Sequence, residues 1–130
     1  MSEKQWRILL VDDEPSIIKM VGKRLELEGF EVFTATDGEQ AIEFATTRHP
    51  DLIVLDLLLP KKDGFAVTET LKRNQNARDI PIIAVFSGKG VLEDEDRCRE
   101  LGAAAYIEKG RGATPLVEAI RNLLSQTGDN

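Results

Sequence analysis

Hydrophobic and polar positions alternate along the chain in two rhythms, as short apolar runs and as longer amphipathic runs. The short runs predict five strands, over residues 7–11, 30–35, 51–56, 80–87 and 103–108. The longer runs, in which apolar residues recur at helical spacing, predict five helices, over residues 15–28, 38–48, 64–74, 91–102 and 115–125. Pro15 suits the first turn of the first helix, and Asp37 is the expected N-cap of the second.

The alternation of strands and helices predicts an α/β fold with a parallel sheet that is covered by helices on both faces. The third strand, DLIVLD, is apolar on both faces, as a strand between two helical layers should be. A chain of 130 residues holds one ordinary domain, so we expect residues 1–130 to form a single domain with a core of about 6–126.

Charged and hydroxyl residues stand where four of the predicted strands end. Asp12 and Asp13 follow the first strand, Asp56 ends the third, Ser87 ends the fourth and Lys109 follows the fifth. In a doubly wound sheet the functional crevice lies outside the carboxyl ends of the strands, so these side chains should meet there. Clustered carboxylates repel one another and favour a bound cation such as Mg²⁺. Together with a lysine and a hydroxyl, they suit phosphoryl transfer to an aspartate nucleophile.

Each of these residues has a simpler interpretation when it is taken alone. Two acids after a strand often lie in the first turn of a helix, where negative charge is favourable. A serine before a glycine is a common turn residue, and a lysine is by default on the surface. The functional interpretation therefore depends on their joint placement at four strand ends.

Composition and charge narrow the classes of partner. The chain is 42% hydrophobic and 31% charged, with a formal net charge of −6, which is typical of a folded acidic domain. An acidic protein is repelled by nucleic acid and by anionic membranes, so we expect no direct contact with either. The single cysteine, Cys98, excludes an internal disulfide and fits a reducing compartment, which indicates a cytoplasmic protein.

Four stretches make the chain resemble the receiver domain of two-component response regulators, over nearly its whole length. They are ILLVDDEP (8–15), HPDLIVLDLLLPKKDG (49–64), IPIIAVFSGKG (80–90) and LGAAAYIEKG (101–110). The resemblance implies a flavodoxin-like (βα)5 fold with strand order 2-1-3-4-5. It also implies a signalling switch that catalyses only its own phosphorylation and dephosphorylation, with a sensor histidine kinase or histidine phosphotransfer protein as the donor. The chain resembles a stand-alone, chemotaxis-type receiver, whose signal leaves by binding another protein or by passing the phosphoryl group onward.

The resemblance also implies roles for individual residues. Asp56 would be the phosphoacceptor, and Lys109 would pair with an oxygen of the phosphoryl group. Asp13 would bind Mg²⁺ directly, whereas Asp12 would act mainly through bound water. Asp56 and the backbone carbonyl of Leu58 would complete the protein ligands of Mg²⁺.

The expected switch consists of Ser87, whose hydroxyl would bond the phosphoryl group, and Tyr106, whose ring would turn inward in response. The surface of residues 88–108 would then bind a downstream target protein. The register of the switch hydroxyl has two solutions. Counting from the start of the fourth strand places it on Phe86, and counting back from Lys109 places it on Ser87, which we favour because phenylalanine cannot bond a phosphate.

A second departure from the family pattern follows Lys109, where Gly110 replaces the usual proline, which is often joined by a cis peptide bond. Together with the register, it slightly favours an alternative in which the fold is a pseudo-receiver, an adaptor that works without phosphorylation, whereas the intact acid pair and Asp56 argue against that alternative. A Mg²⁺-dependent phosphatase is a further alternative, but Leu58 stands where such enzymes commonly have a second acid. A flavin-binding protein is disfavoured by the acidic loop after the first strand. A homodimer through the last two helices is possible.

Overall fold

A computed structural model of the protein describes residues 5–86, 92–110 and 112–127. The strands are β1 (Arg7–Val11), β2 (Glu31–Ala35), β3 (Leu52–Asp56), β4 (Ile82–Phe86) and β5 (Ala105–Glu108). The helices are α1 (Pro15–Leu27), α2 (Gly38–Arg48), α3 (Gly64–Lys72), α4 (Leu92–Leu101) and α5 (Thr114–Thr127). The strands form one parallel sheet in the order β2-β1-β3-β4-β5, which confirms the expected flavodoxin-like topology.

Successive residues of the inner strands point to opposite faces of the sheet, and a layer of helices covers each face. In β1, Ile8 and Leu10 pack in a cluster that includes Leu25 of α1 and Ile120 of α5. Leu9 and Val11 pack on the other face. They belong to a second cluster, which contains Ala41 and Ala45 of α2 and Val67 and Leu71 of α3. A third cluster places Cys98 of α4 against Leu57 and Ala84.

Local signals account for several helix ends. Asp37 caps α2, as predicted, by accepting a hydrogen bond from the Gln40 amide at 2.8 Å. Asp63 caps α3 in the same way through the Ala66 amide at 2.9 Å. Gly29, with a φ of 100°, follows α1 in the left-handed region, where glycine has no steric penalty.

Some predicted boundaries were wrong at the ends of elements. The fourth strand was predicted over 80–87 but begins at Ile82, because Pro81 has no amide hydrogen to give to the ladder and Ile80 bonds back to Ala77 in a turn. The fifth strand begins at Ala105 rather than at residue 103, whose amide closes the end of α4 on the Cys98 carbonyl. The first strand and the second helix have the predicted bounds, and the remaining elements differ from the prediction by one or two residues at an end, within the usual fraying. None of the described helices has both the length and the apolar character that crossing a bilayer needs.

Candidate functional site

Three aspartates meet at the carboxyl edge of the sheet, between β1 and β3, where the strand order reverses. Asp12 and Asp13 follow β1, and Asp56 is the last residue of β3. One carboxylate oxygen from each lies within 4.8 Å of the others. Asp12 and Asp56 are each only 3% exposed, whereas Asp13 is open to solvent. The arrangement is the one expected from the strand ends, and it concentrates negative charge where little water can screen it.

Backbone amides orient the two buried carboxylates. Asp12 accepts a hydrogen bond from the Glu14 amide at 2.9 Å, and Asp56 accepts one from the Leu58 amide at 3.1 Å. In each case the Oδ1 atom is the acceptor, which leaves Oδ2 free of this bond. The amide of Asp12 is itself tied to the Ala35 carbonyl at 3.1 Å. Hydrogen bonds from nearby backbone amides therefore fix the orientation of both carboxylates.

Lys109 supplies the positive charge that the cluster requires. Its Nζ lies 3.0 Å from Asp12 Oδ2, 2.8 Å from Glu14 Oε1 and 3.4 Å from Asp56 Oδ2. The side chain is 12% exposed, and the Lys109 amide is bonded to the Phe86 carbonyl at 2.6 Å, which anchors it beside β4. Burial opposes the charged form, but the hydrogen bonds to Glu14 and Asp12 outweigh it and raise the pKa of Lys109.

The electrostatic balance at Asp56 differs from that at Lys109. Burial is the largest effect and raises the pKa of the Asp56 carboxyl above its ordinary value. The Leu58 amide opposes this shift, the charge of Asp12 reinforces it and Lys109 opposes it. The ionised form of Asp56 is therefore poorly stabilised by the protein alone, which favours the approach of a further cation.

The residues fit a hard divalent cation such as Mg²⁺. Three carboxylates offer oxygen ligands at close range, and the exposure of Asp13 leaves one side of the cluster open to solvent. The Leu58 amide bonds to the Asp56 carboxylate at 3.1 Å, so the backbone of Leu58 is next to the cluster, and the residue is 65% exposed. Asp12, Asp13, Asp56 and the Leu58 carbonyl remain the expected ligands.

The switch residues are described only in part. Ser87 lies outside the described residues, so its assignment stays a prediction. Phe86 ends β4, and its ring stacks on Tyr106 of β5 with centroids 4.5 Å apart and an interplanar angle of 11°. The Tyr106 hydroxyl is buried and has no hydrogen-bond partner within the described ranges. All the described peptide bonds are trans, and Gly110 has a φ of 95°, so the chain after Lys109 turns through a conformation that favours glycine.

Two features of the site escaped the sequence analysis. Glu14 is a partner of Lys109, and the only signal for this was its place directly after the aspartate pair. A cavity of about 550 Å³ opens beside the acids, between α1 and α5. Its walls include Ile17 and Val21, and Met20 at its edge is 61% exposed. The helical spacing of apolar residues predicted α1, but it could not distinguish a filled interface from an open one.

Comparisons with known proteins agree with this geometry. A family model described as the response regulator receiver domain matches residues 8–121. The chain is 41% identical over 127 residues to the probable transcriptional regulator ycf27 of Cyanophora paradoxa, a match that covers 98% of the chain and 52% of that protein. It is 36% identical over 119 residues to the polar-differentiation response regulator DivK of Brucella ovis, covering 90% of the chain and 94% of DivK. The chain thus spans about half the length of the transcriptional regulators that it matches.

A solved structure with a similar fold is relevant to the acid cluster. The receiver domain of the sensor histidine kinase PA1611 from Pseudomonas aeruginosa PAO1 has a TM-score of 0.82 to this protein and is 28% identical to it. The match covers 92% of this chain and 97% of that one, and that structure has a magnesium ion coordinated in its active site cleft.

Proposed function

The chain belongs to the response regulator receiver family of two-component signalling, and from that premise we propose that it is a Mg²⁺-dependent phosphorylation switch with Asp56 as its phosphoacceptor. The observation that carries the proposal is the meeting of three aspartates and Lys109 at the point where the strand order reverses. A buried carboxylate with a lysine at 3.4 Å has both a nucleophilic oxygen and a nearby counter-ion for the incoming phosphoryl group.

In the proposed reaction, a carboxylate oxygen of Asp56 attacks the phosphorus of a partner's phosphohistidine. The new P–O bond forms as the P–N bond breaks, and the imidazole leaves with the electron pair and takes up a proton. The Leu58 amide holds one oxygen of Asp56, which fixes the rotation of the carboxylate during the attack. Bound Mg²⁺ would neutralise charge on the transferring group. Water later hydrolyses the acyl phosphate and resets Asp56.

Lys109 would change partners in the course of this reaction. In the structure it shares its ammonium among Asp12, Glu14 and Asp56. A phosphoryl group on Asp56 would carry about two negative charges and strong acceptor oxygens. We therefore expect Lys109 to leave Glu14, the most exposed of its three partners, and to bind a phosphoryl oxygen.

The output would be conformational and would pass through Ser87, Tyr106 and the surface of residues 88–108. The packing around Tyr106 supports this proposal, because its hydroxyl is buried without a partner among the described residues and is free to gain one in another state. The receiver would act in the cytoplasm and signal to a target protein, with a sensor histidine kinase or a histidine phosphotransfer protein as donor. The similarity to the response regulator DivK over 94% of its length supports the signalling role, and the free thiol of Cys98 is compatible with a reducing compartment.

Intact-protein mass spectrometry would test the proposal. The protein is incubated with a small acyl phosphate, with Mg²⁺ or with a chelator, as the wild type, Asp56→Asn and Asp96→Asn. Asp96 is an exposed aspartate of α4 and serves as the matched control. We expect one phosphoryl adduct on the wild type and on Asp96→Asn, and none on Asp56→Asn or in chelator. If the wild type gains no adduct under conditions that label another receiver, the pseudo-receiver adaptor becomes the better description.

A further inference from the structure

The loop between β3 and α3, residues 57–63, has its two ends joined by a hydrogen bond. The Gly64 amide donates to the Leu57 carbonyl at 3.0 Å, and a side chain at Gly64 would place Cβ 2.7 Å from the Asp56 carbonyl oxygen. Within the loop, the Lys62 amide donates to the Pro60 carbonyl at 2.7 Å. The loop contains Leu58, so the position of the Leu58 carbonyl depends on where this closed loop sits as a unit.

The first turn of α2 determines where the loop sits. Gly38 lies directly against it, since a Cβ built on Gly38 would fall 2.2 Å from the Lys62 carbonyl oxygen and 2.9 Å from Val67 Cγ2. Real Cβ atoms essentially never approach this closely, so any larger residue at position 38 must move the loop and the first turn of α2 apart. The absent side chain of Gly38 is therefore what allows the loop to approach α2.

A charged contact reinforces the same approach. Lys61 Nζ lies 3.6 Å from Asp37 Oδ2 and 3.9 Å from Glu39 Oε1, both in the N-terminal turn of α2. Lys61 adopts a φ of 67°, which a lysine rarely adopts. Because the lysine is exposed, the ion pair is a weak contact that adds to the steric fit at Gly38.

The segment that contains Gly38 also holds the other side of the acid cluster. The carbonyl of Ala35, three residues before Gly38, accepts the hydrogen bond from the Asp12 amide at 3.1 Å. Residues 35–38 therefore contact the chain next to Asp12 on one side and the loop that contains Leu58 on the other. A change in the spacing between Gly38 and Lys62 alters the distance between these two halves of the site.

We propose that Gly38 is a positioning residue for the divalent cation, because its contact with the Lys62 carbonyl holds the loop of Leu58 in register with Asp12 and Asp56. The inference rests on the proposed function, in which Mg²⁺ binds these residues. Groups that orient metal ligands from behind commonly change metal affinity by 10–100-fold when they are replaced. The structure thus assigns a role at the metal site to a residue that has no ligand atom of its own in it.

The test compares Gly38→Ala with two other glycine replacements. Gly22→Ala is a control in a helix with room for the methyl group, since its Cβ would lie 3.9 Å from Leu10 Cδ2. Gly102→Ala is a control for lost stability, because Gly102 has a φ of 108° and lies outside the site. Calorimetric titration with Mg²⁺ alone gives the dissociation constant, and amide hydrogen exchange without metal reports on the Leu58 and Gly64 amides.

For Gly38→Ala we expect Mg²⁺ affinity to fall about tenfold and the Leu58 and Gly64 amides to exchange faster without metal. Both controls should bind Mg²⁺ as the wild type does, although Gly102→Ala should unfold at lower denaturant. Wild-type affinity in folded Gly38→Ala would overturn the inference. Equal weakening in Gly102→Ala would also overturn it, because the effect would then follow from stability alone.

A second pair of variants covers the case in which Gly38→Ala does not fold. Lys61→Asn removes the ion pair but keeps a residue that tolerates a positive φ, and Lys62→Gln removes the same charge one residue later. Loss of a positive charge alone should leave Mg²⁺ affinity equal or slightly higher. Weaker binding in Lys61→Asn than in Lys62→Gln therefore supports the inference, and tighter binding in Lys61→Asn than in Lys62→Gln contradicts it. If the wild type itself does not bind Mg²⁺, the proposed function fails, and the exchange rates still show whether Gly38 holds the loop.

Discussion

Replacing Asp56 with asparagine is expected to make the metal-free protein more stable at neutral pH. Asp56 is almost completely buried, and burial is the main reason why the pKa of its carboxyl is raised. The folded protein therefore favours the neutral form of this group. An amide has nearly the same shape as a carboxylate and carries no charge, so it avoids the unfavourable burial of an ion.

The magnitude follows from the distances around Asp56. The Asp12 and Asp56 carboxylate oxygens lie within 4.8 Å of each other, so at an effective dielectric constant of about 20 their charges repel by at least about 3.5 kcal/mol, and Lys109 at 3.4 Å attracts Asp56 by about 5 kcal/mol. Asp13 is exposed, so its repulsion is screened several-fold. The charge interactions of Asp56 thus nearly cancel, and the burial of the ion, which is unfavourable by several kcal/mol, decides the sign. Because asparagine loses part of the bonding to Lys109, we expect a net gain of about 1–2 kcal/mol.

Thermal and urea unfolding in chelator, at pH 7 and at pH 4, would measure this gain. For a domain of this size it corresponds to a rise in Tm of about 4–7 °C. A raised carboxyl pKa gives stability that is present in acid and is lost as the pH rises through the folded-state pKa. The difference between Asp56→Asn and the wild type should therefore be largest at pH 7 and shrink at pH 4.

The control for this experiment is Asp96→Asn, which removes the same charge from an exposed position and should shift stability by less than about 0.5 kcal/mol. The reasoning is refuted if Asp56→Asn is less stable than the wild type at pH 7 without metal. A difference that grows in acid would refute it as well.

The remaining predictions concern the cation, the switch and the thiol. Mg²⁺ at a hundred times its dissociation constant should raise the unfolding free energy of the wild type by about 2.7 kcal/mol in urea titrations, and a similar rise in Asp13→Asn at the same concentration would contradict the expected ligand set. Lys109→Met should lower the stability of the metal-free protein by about 1–3 kcal/mol, because three carboxylates lose a cation that they share. For the same reason, the variant should bind Mg²⁺ more tightly in calorimetry, and weaker binding would be inconsistent with this account. Tyr106→Phe should leave stability unchanged or raise it by up to about 1 kcal/mol in denaturant unfolding, since the hydroxyl is buried without a partner in the described part of the chain; a clear loss would reveal a partner. Burial raises the pKa of Cys98 to about 11, so a thiol reagent at pH 8 should react with it only as the protein unfolds, and rapid reaction of the native protein would disprove this.

The acid cluster was predictable from the sequence because it depends on a rule of topology. Parallel strands bring their carboxyl ends to one edge, so Asp12 and Asp56 meet once β1 and β3 are neighbours. The N-cap at Asp37 was predictable for a local reason, since its partner Gln40 is three residues away. The start of the fourth strand was missed because Pro81 was counted into the strand although it cannot donate to the ladder.

The contacts that complete the site could not be predicted in this way. Glu14 and Lys109 are 95 residues apart in sequence, and their pairing depends on which of several acids the flexible lysine reaches in the folded protein. The stack of Phe86 on Tyr106 depends on the register of β4 against β5. The spacing between Gly38 and the Lys62 carbonyl depends on how α2 packs beside the loop.

The sequence by itself determined the succession of strands and helices along the chain, the parallel sheet and the meeting of Asp12, Asp13, Asp56 and Lys109 at its carboxyl edge. These follow from hydrophobic period and from chain connectivity, which are properties of neighbouring residues. Only the tertiary structure decided which carboxylates share Lys109, which aromatic rings stack and which glycine lies against the Lys62 carbonyl. Those contacts join segments far apart in the chain, and their distances are set only when all the elements pack together.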